Sequence, residues 1–266
     1  MGNGSRTFFV DRQGRVIPQL PRVNGVGILS LTGELIKANI DSRISYLRKD
    51  GTIVWNQQLK YDLGNGAAVS EKKYRPDRNT LVYYPEFSGL ADSQVQAKLN
   101  KELENLAIAE NPKADEEYES TYESNFEVDF HTSGLVSIKM SGYDYTLGAA
   151  HGMPLMDYYH ISLKTGKFYS LSDLFKKGSN YKQKLNAIVK KQIQARADSE
   201  GLWPASFTGI ESNQQFILHK DSLEIYFYPY EVGPYAAGFP MFKVPFAEIR
   251  DLIDIQGEFW AAIQEQ

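Results

Sequence analysis

The chain has 266 residues, a formal net charge of −4 and a hydrophobic fraction of 42%, which supports a real core and argues against disorder. It contains no cysteine, so it has no disulfides and must hold together by burial, for which its length suffices. No run of about 18 apolar residues is present to span a membrane.

The charge is unevenly placed. Residues 1–78 carry 13 Lys/Arg against 7 Asp/Glu, and the remainder carries 16 against 26. Such a change of sign accompanies module boundaries. The acidic larger part argues against nucleic acid, since phosphate binding needs clustered Lys/Arg. Met1–Ser5 shows no basic-then-apolar leader pattern, and a removed signal or a tether outside this chain would leave no mark in it.

In chain order, "FFVDRQGRVIP", "GILSLTGELIK" and "ISYLRKDGTIVW" share one plan: an apolar arm, a polar turn ending in Gly14, Gly33 or Gly51, and a second arm. Glycine supplies the positive φ of hairpin turns, and the near-regular spacing predicts three repeated hairpins, with a weak similarity to bacterial WG-type repeats. "LGNGAAVSEKK", Leu63–Lys73, reads as a linker. The expected organisation is a β-hairpin module over 1–72 and an α+β domain over 73–266.

In the second part, Ser93 and Gln96 read as a capping box that opens a helix with Val95, Leu99, Leu103 and Leu106 on one face. The tract Asp115–Glu119 reads as a charged loop. "NFEVDFHT" alternates as a half-buried strand, "LVSIKMSGYDYT" forms the next, and "PLMDYYHISL" with "FYSL" makes a hairpin. A helix starts near Asn180, with Tyr181, Leu185, Ile188, Val189 and Ile193 inward and Lys182, Lys184, Lys190 and Lys191 outward. "FILHKDSLEIYFYP" is a hairpin turning at Lys220–Ser222, "FPMFKVP" a strand, and Glu248–Ile253 a short final helix. The fold class is α+β: antiparallel sheets packed by a few helices, preceded by the hairpin module.

Enzyme motifs are missing. There is no His-Glu-x-x-His helix, no Gly-x-Ser-x-Gly elbow and no phosphate-binding Gly-x-x-x-x-Gly-Lys loop, so neither a catalytic residue set nor a metal or cofactor is expected. Two stretches draw attention instead. "YTLGAAHGMP" surrounds His151, one of four histidines, with small residues that leave its ring uncrowded. Its readings are a structural histidine, a binding residue, or a base or metal ligand. "YPYEVGPYAAGFP" sits in a run of eight aromatics between Tyr226 and Phe246, interrupted by Pro229, Pro234 and Pro240. Prolines stop regular sheet there, which predicts a stiff loop that either presents Tyr230, Glu231 and Tyr235 or folds back over its own core with its tyrosine hydroxyls satisfied internally. Long loops of this kind are more often functional, and rigid tyrosines make good interface anchors. The two irregular stretches are expected to meet in space.

The ordered series "YYPEFSGLADSQVQAKLN", "GLVSIKMSGYDYTLGAAHG", "SLKTGKFYSLSDLFKKGSNY" and "FILHKDSLEIYFYPYEVGPYAAGFPMFKVPFAEI" resembles an extracytoplasmic domain family. That family occurs in the anti-sigma factor RsiV and in the non-catalytic region of the peptidoglycan deacetylase PdaC. The resemblance spans about residues 73–255. The family shows a Gly-Gly-Ala-His-Gly loop where this chain has Gly148-Ala149-Ala150-His151-Gly152. It implies an exported, cell-surface or secreted module that recognises a lysozyme-like, basic muralytic protein or peptidoglycan. The candidate ligand-binding residues are Tyr145, His151, Gly152, Tyr230, Glu231 and Tyr235. Two other readings stand beside it: a wall-polymer enzyme with His151 as base, oriented by Glu231 or Asp144, and a structural spacer.

Overall fold

The computed structural model describes residues 6–109 and 119–265. Its strands, in chain order, are β1 (Arg6–Thr7), β2 (Val23–Asn24), β3 (Gly27–Thr32), β4 (Leu35–Ile40), β5 (Arg43–Arg48), β6 (Ile53–Asn56), β7 (Lys60–Gly64), β8 (Ala67–Tyr74) and β9 (Thr80–Ser88). After helix α1 (Ser93–Ala109) come β10 (Ser120–His131), β11 (Leu135–Thr146), β12 (Met153–Ser162) and β13 (Phe168–Tyr169). Helix α2 (Tyr181–Glu200) precedes β14 (Phe216–Leu218), β15 (Ser222–Tyr226) and β16 (Met241–Pro245), and α3 (Phe246–Ile249) and α4 (Glu258–Gln264) close the chain. The α+β class read from the sequence is the observed one.

Strands β3 to β6 form a four-stranded antiparallel meander. Of the three hairpins expected from the sequence, the second and third lie in this meander and turn at Gly33 and Gly51, both at positive φ. The first is reduced to a single Val10–Val16 bridge. Asp11 ties that turn by accepting the amides of Gln13 and Arg15. Ile36, Ala38, Ile40 and Leu47 form the small core of this part.

The linker expected over Leu63–Lys73 is not one. Strands β7 and β8 pair as a hairpin at the edge of a seven-stranded sheet, ordered β13-β12-β11-β10-β9-β8-β7. Asn65 and Gly66 take the positive φ of its turn, and Leu63, Ala67 and Val69 are buried in the core between the seven-stranded sheet and α1. The polar Asn-Gly turn signal looked like a spacer, but apolar alternation on both sides makes it a hairpin. Sheet membership changes between Asn56 and Lys60.

One pairing departs from the antiparallel rule: β9 and β10 run parallel. A parallel pair needs a crossover, and α1 lies in that connection. The α1 cap is Asp92 rather than Ser93, its carboxylate accepting the amides of Gln94 and Val95. Gln96 instead accepts from Leu90. Leu99 and Leu103 bury against Phe126, Ile138 and Met140 on one sheet face.

A second core lies between α2 and the three-stranded sheet β14-β15-β16, with Leu185, Val189 and Ile193 meeting Ile225, Phe242 and Val244. The final helix expected at Glu248–Ile253 is shorter, and α4 beyond it was missed. "EFWAAIQ" is too short to show a helical period, yet it buries Phe259, Trp260 and Ile263.

Candidate functional site

Strands β11 and β12 are joined by the turn that carries His151. Positive φ in this turn falls on Gly148 (φ 89°) and not on Ala149, so alanine at 149 imposes no backbone strain. The Tyr145 hydroxyl donates to the Ala149 carbonyl at 3.2 Å, bracing the turn from within. Gly152 is pinned from above: its amide donates to the Tyr143 hydroxyl at 2.8 Å. Tyr143 lies two residues before Tyr145 on β11 and is 42% exposed.

The second loop connects β15 to β16. Its inner half faces the core. Val232 is buried, the Trp203 amide donates to the Val232 carbonyl at 2.8 Å, and the Tyr228 hydroxyl reaches the Met156 carbonyl and the Asp157 carboxylate. Burial raises the Asp157 pKa. Its outer half turns Tyr230 and Tyr235 outward. Tyr230 holds φ 74°, a left-handed conformation uncommon for a bulky residue. Glu231 closes the turn by accepting the Tyr228 amide at 2.6 Å.

The two loops meet, as the sequence led us to expect. His151 Nε2 lies 3.3 Å from the Tyr230 hydroxyl, and its ring packs on Tyr235 with centroids 4.1 Å apart. Tyr230 and Tyr235 are themselves neighbours at 5.9 Å. The Tyr235 hydroxyl donates to the Gly152 carbonyl at 3.0 Å, and its pKa is raised, first by its hydrogen bond with Tyr143. His151, Tyr143, Tyr230 and Tyr235 therefore form one contiguous aromatic surface on which Gly152 is the backbone hub.

Of the six residues singled out, His151, Gly152, Tyr230 and Tyr235 come together. Tyr145 and Glu231 support their own turns instead. Tyr143 was missed, although the alternation in "YDYT" places it on the same strand face as Tyr145. The hydrogen-bond partners of His151 among the described residues are the Gly152 carbonyl and the Tyr230 hydroxyl. Glu231 is committed to Tyr228. Asp144 alternates with Tyr143 and so projects to the opposite sheet face, where burial raises its pKa. Among the described residues no group of three or more His, Asp or Glu converges as a metal site. Residues 110–118, which include Asp115–Glu117, lie outside the described residues.

The remaining histidines are structural or solvated. His160 is buried, with Nδ1 2.8 Å from the Ser137 hydroxyl and Nε2 3.1 Å from the Phe216 carbonyl. It thereby joins β11, β12 and β14. His131 is exposed, and His219 sits 3.6 Å from Glu224.

A long sheet with a helix on one face and a three-stranded sheet with its own helix beside it is an architecture seen in solved relatives. A DUF3298-family protein from Bacteroides fragilis matches with a TM-score of 0.54 at 15% identity, over 78% of this chain and 98% of that one. One from Pseudomonas aeruginosa PAO1 matches with a TM-score of 0.50 at 19% identity, over 74% and 95%. Two family models match in sequence: "Deacetylase PdaC" over residues 79–154 and "Protein of unknown function (DUF3298)" over 172–247. The peptidoglycan-N-acetylmuramic acid deacetylase PdaC of Bacillus subtilis (strain 168) is 26% identical over 187 residues, which are 67% of this chain. The matched region spans 39% of that relative's length. These matches support a PdaC-like DUF3298 family assignment for the chain. Its aromatic cluster draws one loop from each matched segment.

Proposed function

We propose that this chain is a non-enzymatic recognition module of the cell envelope, and that it contacts its partner through His151, Tyr143, Tyr230 and Tyr235. The observation that carries this reading is the composition of the cluster. A general base needs a partner that orients it and a cleft that holds substrate, whereas His151 is held by a carbonyl and a phenol on an exposed aromatic surface. Rigid tyrosines around one imidazole suit a protein interface, because they bring large contact area at little entropic cost.

The partner favoured by charge is a basic protein of the muralytic, lysozyme-like kind, since residues 79–266 carry 26 acids against 16 bases. The resemblance to the RsiV domain points the same way. A second reading, peptidoglycan itself, is favoured by the named activity of the Bacillus relative. Both place the module outside the cytoplasm.

The test is a pull-down of purified peptidoglycan and of a basic lysozyme by the intact protein, repeated with Tyr230→Ala and Tyr235→Ala. Retention of one ligand by the intact protein and its loss in both variants is the expected result. Binding unaffected by either substitution overturns the assignment of the surface. Hydrolysis or deacetylation of the polymer, abolished by His151→Ala, overturns the non-enzymatic reading.

A further inference from the structure

The seven-stranded sheet has one face under α1. Its other face is covered at both ends and open in the middle. At one end the N-terminal meander is fixed to β8 and β9. Asp41, buried, pairs with Lys73 and Arg75 at 3.1 and 3.2 Å, its carbonyl accepts from the Tyr83 hydroxyl at 2.7 Å, and Arg43 pairs with Glu71 at 2.9 Å. At the other end Met156 and Tyr158 of β12 pack on Ile217 and Tyr226. Between them, over β9, β10 and β11, lies a groove of about 310 Å³. Its principal lining groups are Arg43, Tyr83, Glu123, Asn125, Ser141 and Tyr143.

Glu123 is directly opposite Tyr143, and Asn125 directly opposite Ser141. Opposed side chains start about 5 Å apart, and successive pairs on one face about 7 Å apart, so these four cover a patch the size of one sugar ring. Tyr143 offers a flat, half-exposed ring whose hydroxyl is tied to Gly152. The Asn125 carbonyl oxygen is already occupied, accepting from Arg43 at 3.2 Å and from the Phe126 amide at 2.9 Å. That leaves the Asn125 amide N–H groups, the Ser141 hydroxyl and the Glu123 carboxylate to meet a ligand. Arg43 adds little net charge: Glu71 neutralises it, and its guanidinium lies 4.0 Å over the Tyr83 ring.

We infer that this groove binds an uncharged pyranose unit of a saccharide chain, with residues of the N-terminal meander forming one wall. A pyranose has an apolar C–H face that stacks on an aromatic ring and a rim of hydroxyls that need a few placed donors and acceptors. Tyr143 supplies the first; Asn125, Ser141 and Glu123 supply the second. An anionic ligand is disfavoured, because the unpaired charge in the groove is the Glu123 carboxylate. The buried Asp41 contacts hold the wall in place before binding, so little ordering is lost on association. Tyr143 belongs to the His151 cluster as well as to the groove, so a longer chain extends from the groove towards Tyr235. The assignment rests on the groove's own lining, and a partner that covers Tyr143 competes with the saccharide for that ring.

The test uses the intact chain and an uncharged chitin tetrasaccharide, followed by amide chemical shifts, beside an anionic oligogalacturonate and an extended neutral peptide. The expected result is shifts centred on 123–125 and 141–143 with the chitin tetrasaccharide alone, and affinity lowered at least tenfold by Asn125→Ala and by Glu123→Gln. Amide spectra of the unliganded variants confirm that they remain folded. Lys190→Ala, on the outward face of α2, lies outside both the groove and the His151 surface and leaves tetrasaccharide affinity within twofold. Three results overturn the inference: no response to the uncharged saccharide, a response to the peptide or anionic sugar instead, or saccharide shifts confined to His151, Tyr230 and Tyr235 with both groove variants behaving as the parent.

Discussion

The Gly152 amide donates to the Tyr143 hydroxyl at 2.8 Å, and a Cβ placed on Gly152 would lie 2.6 Å from the same ring and 2.3 Å from the Asp144 carbonyl. The close approach that lets Tyr143 hold the His151 turn thus requires glycine at 152. Gly152→Ala forces the Tyr143 ring and the strand end apart. Overpacking of this kind costs about 1–3 kcal/mol, so the variant should melt lower and lose partner capture together. Thermal denaturation and the pull-down described above check both.

Tyr230 holds a left-handed backbone that glycine adopts freely and alanine does not. Tyr230→Gly and Tyr230→Ala delete the same ring, so both should abolish partner capture. They should differ in stability by about 1 kcal/mol in favour of glycine. Equal melting of the two variants would show that the backbone at 230 relaxes once the ring is gone.

His160 is buried and neutral, and burial lowers its pKa to about 4 from an ordinary 6.5. The unfolded chain therefore takes up a proton that the folded chain refuses between those values. The sign follows from linkage: stability from this group is fully present above about pH 6.5 and is lost as pH falls towards 4. The loss is on the order of 3 kcal/mol across that window. Denaturant unfolding at pH 7 and pH 4.5 should show the fall, and His160→Gln should flatten it relative to the parent while lowering stability at pH 7.

Asp41 is a buried carboxylate that joins the meander to the larger sheet through Lys73 and Arg75 and accepts the Val26 amide within its own part. Asp41→Ala leaves Arg75 without its carboxylate and the amide without its acceptor. Breaking one side of a buried pair costs about 3–5 kcal/mol. We propose that the N-terminal part then comes loose as a unit with its boundary between Asn56 and Lys60. Limited proteolysis should cut the variant there and spare Leu63–Lys73, which is held in the sheet ladder. A preferred cut within Leu63–Lys73 would argue for the boundary at residue 72 instead.

Much of this fold was legible because its signals are local. The alternation of Phe126, Val128 and Phe130 marks a strand wherever it sits, the glycines at 33 and 51 supply φ values that few other residues tolerate, and the Leu185, Val189, Ile193 spacing puts one apolar face on a helix. The same local chemistry singled out the His151 turn and the proline-broken Tyr230–Tyr235 loop. Local signals misled where two structures share them. The Asn65-Gly66 turn serves a hairpin as well as a spacer, and Asp92 outcompeted Ser93 for the same helix end because its carboxylate reaches two amides.

Whatever depends on partners far apart in the chain was settled only by packing. Tyr143 and Gly152 are nine residues apart, but His151 and Tyr230 are separated by 79 and Arg43 and Asn125 by 82. No periodicity records such pairs, because their contact depends on how two sheets and a meander are laid against each other. That choice is made by burial of whole faces, Ile217 and Tyr226 on Met156 and Tyr158 at one end, and the Asp41 ion pairs at the other. The open strip between them, and the side chains left unpaired on it, exist only once both ends have docked.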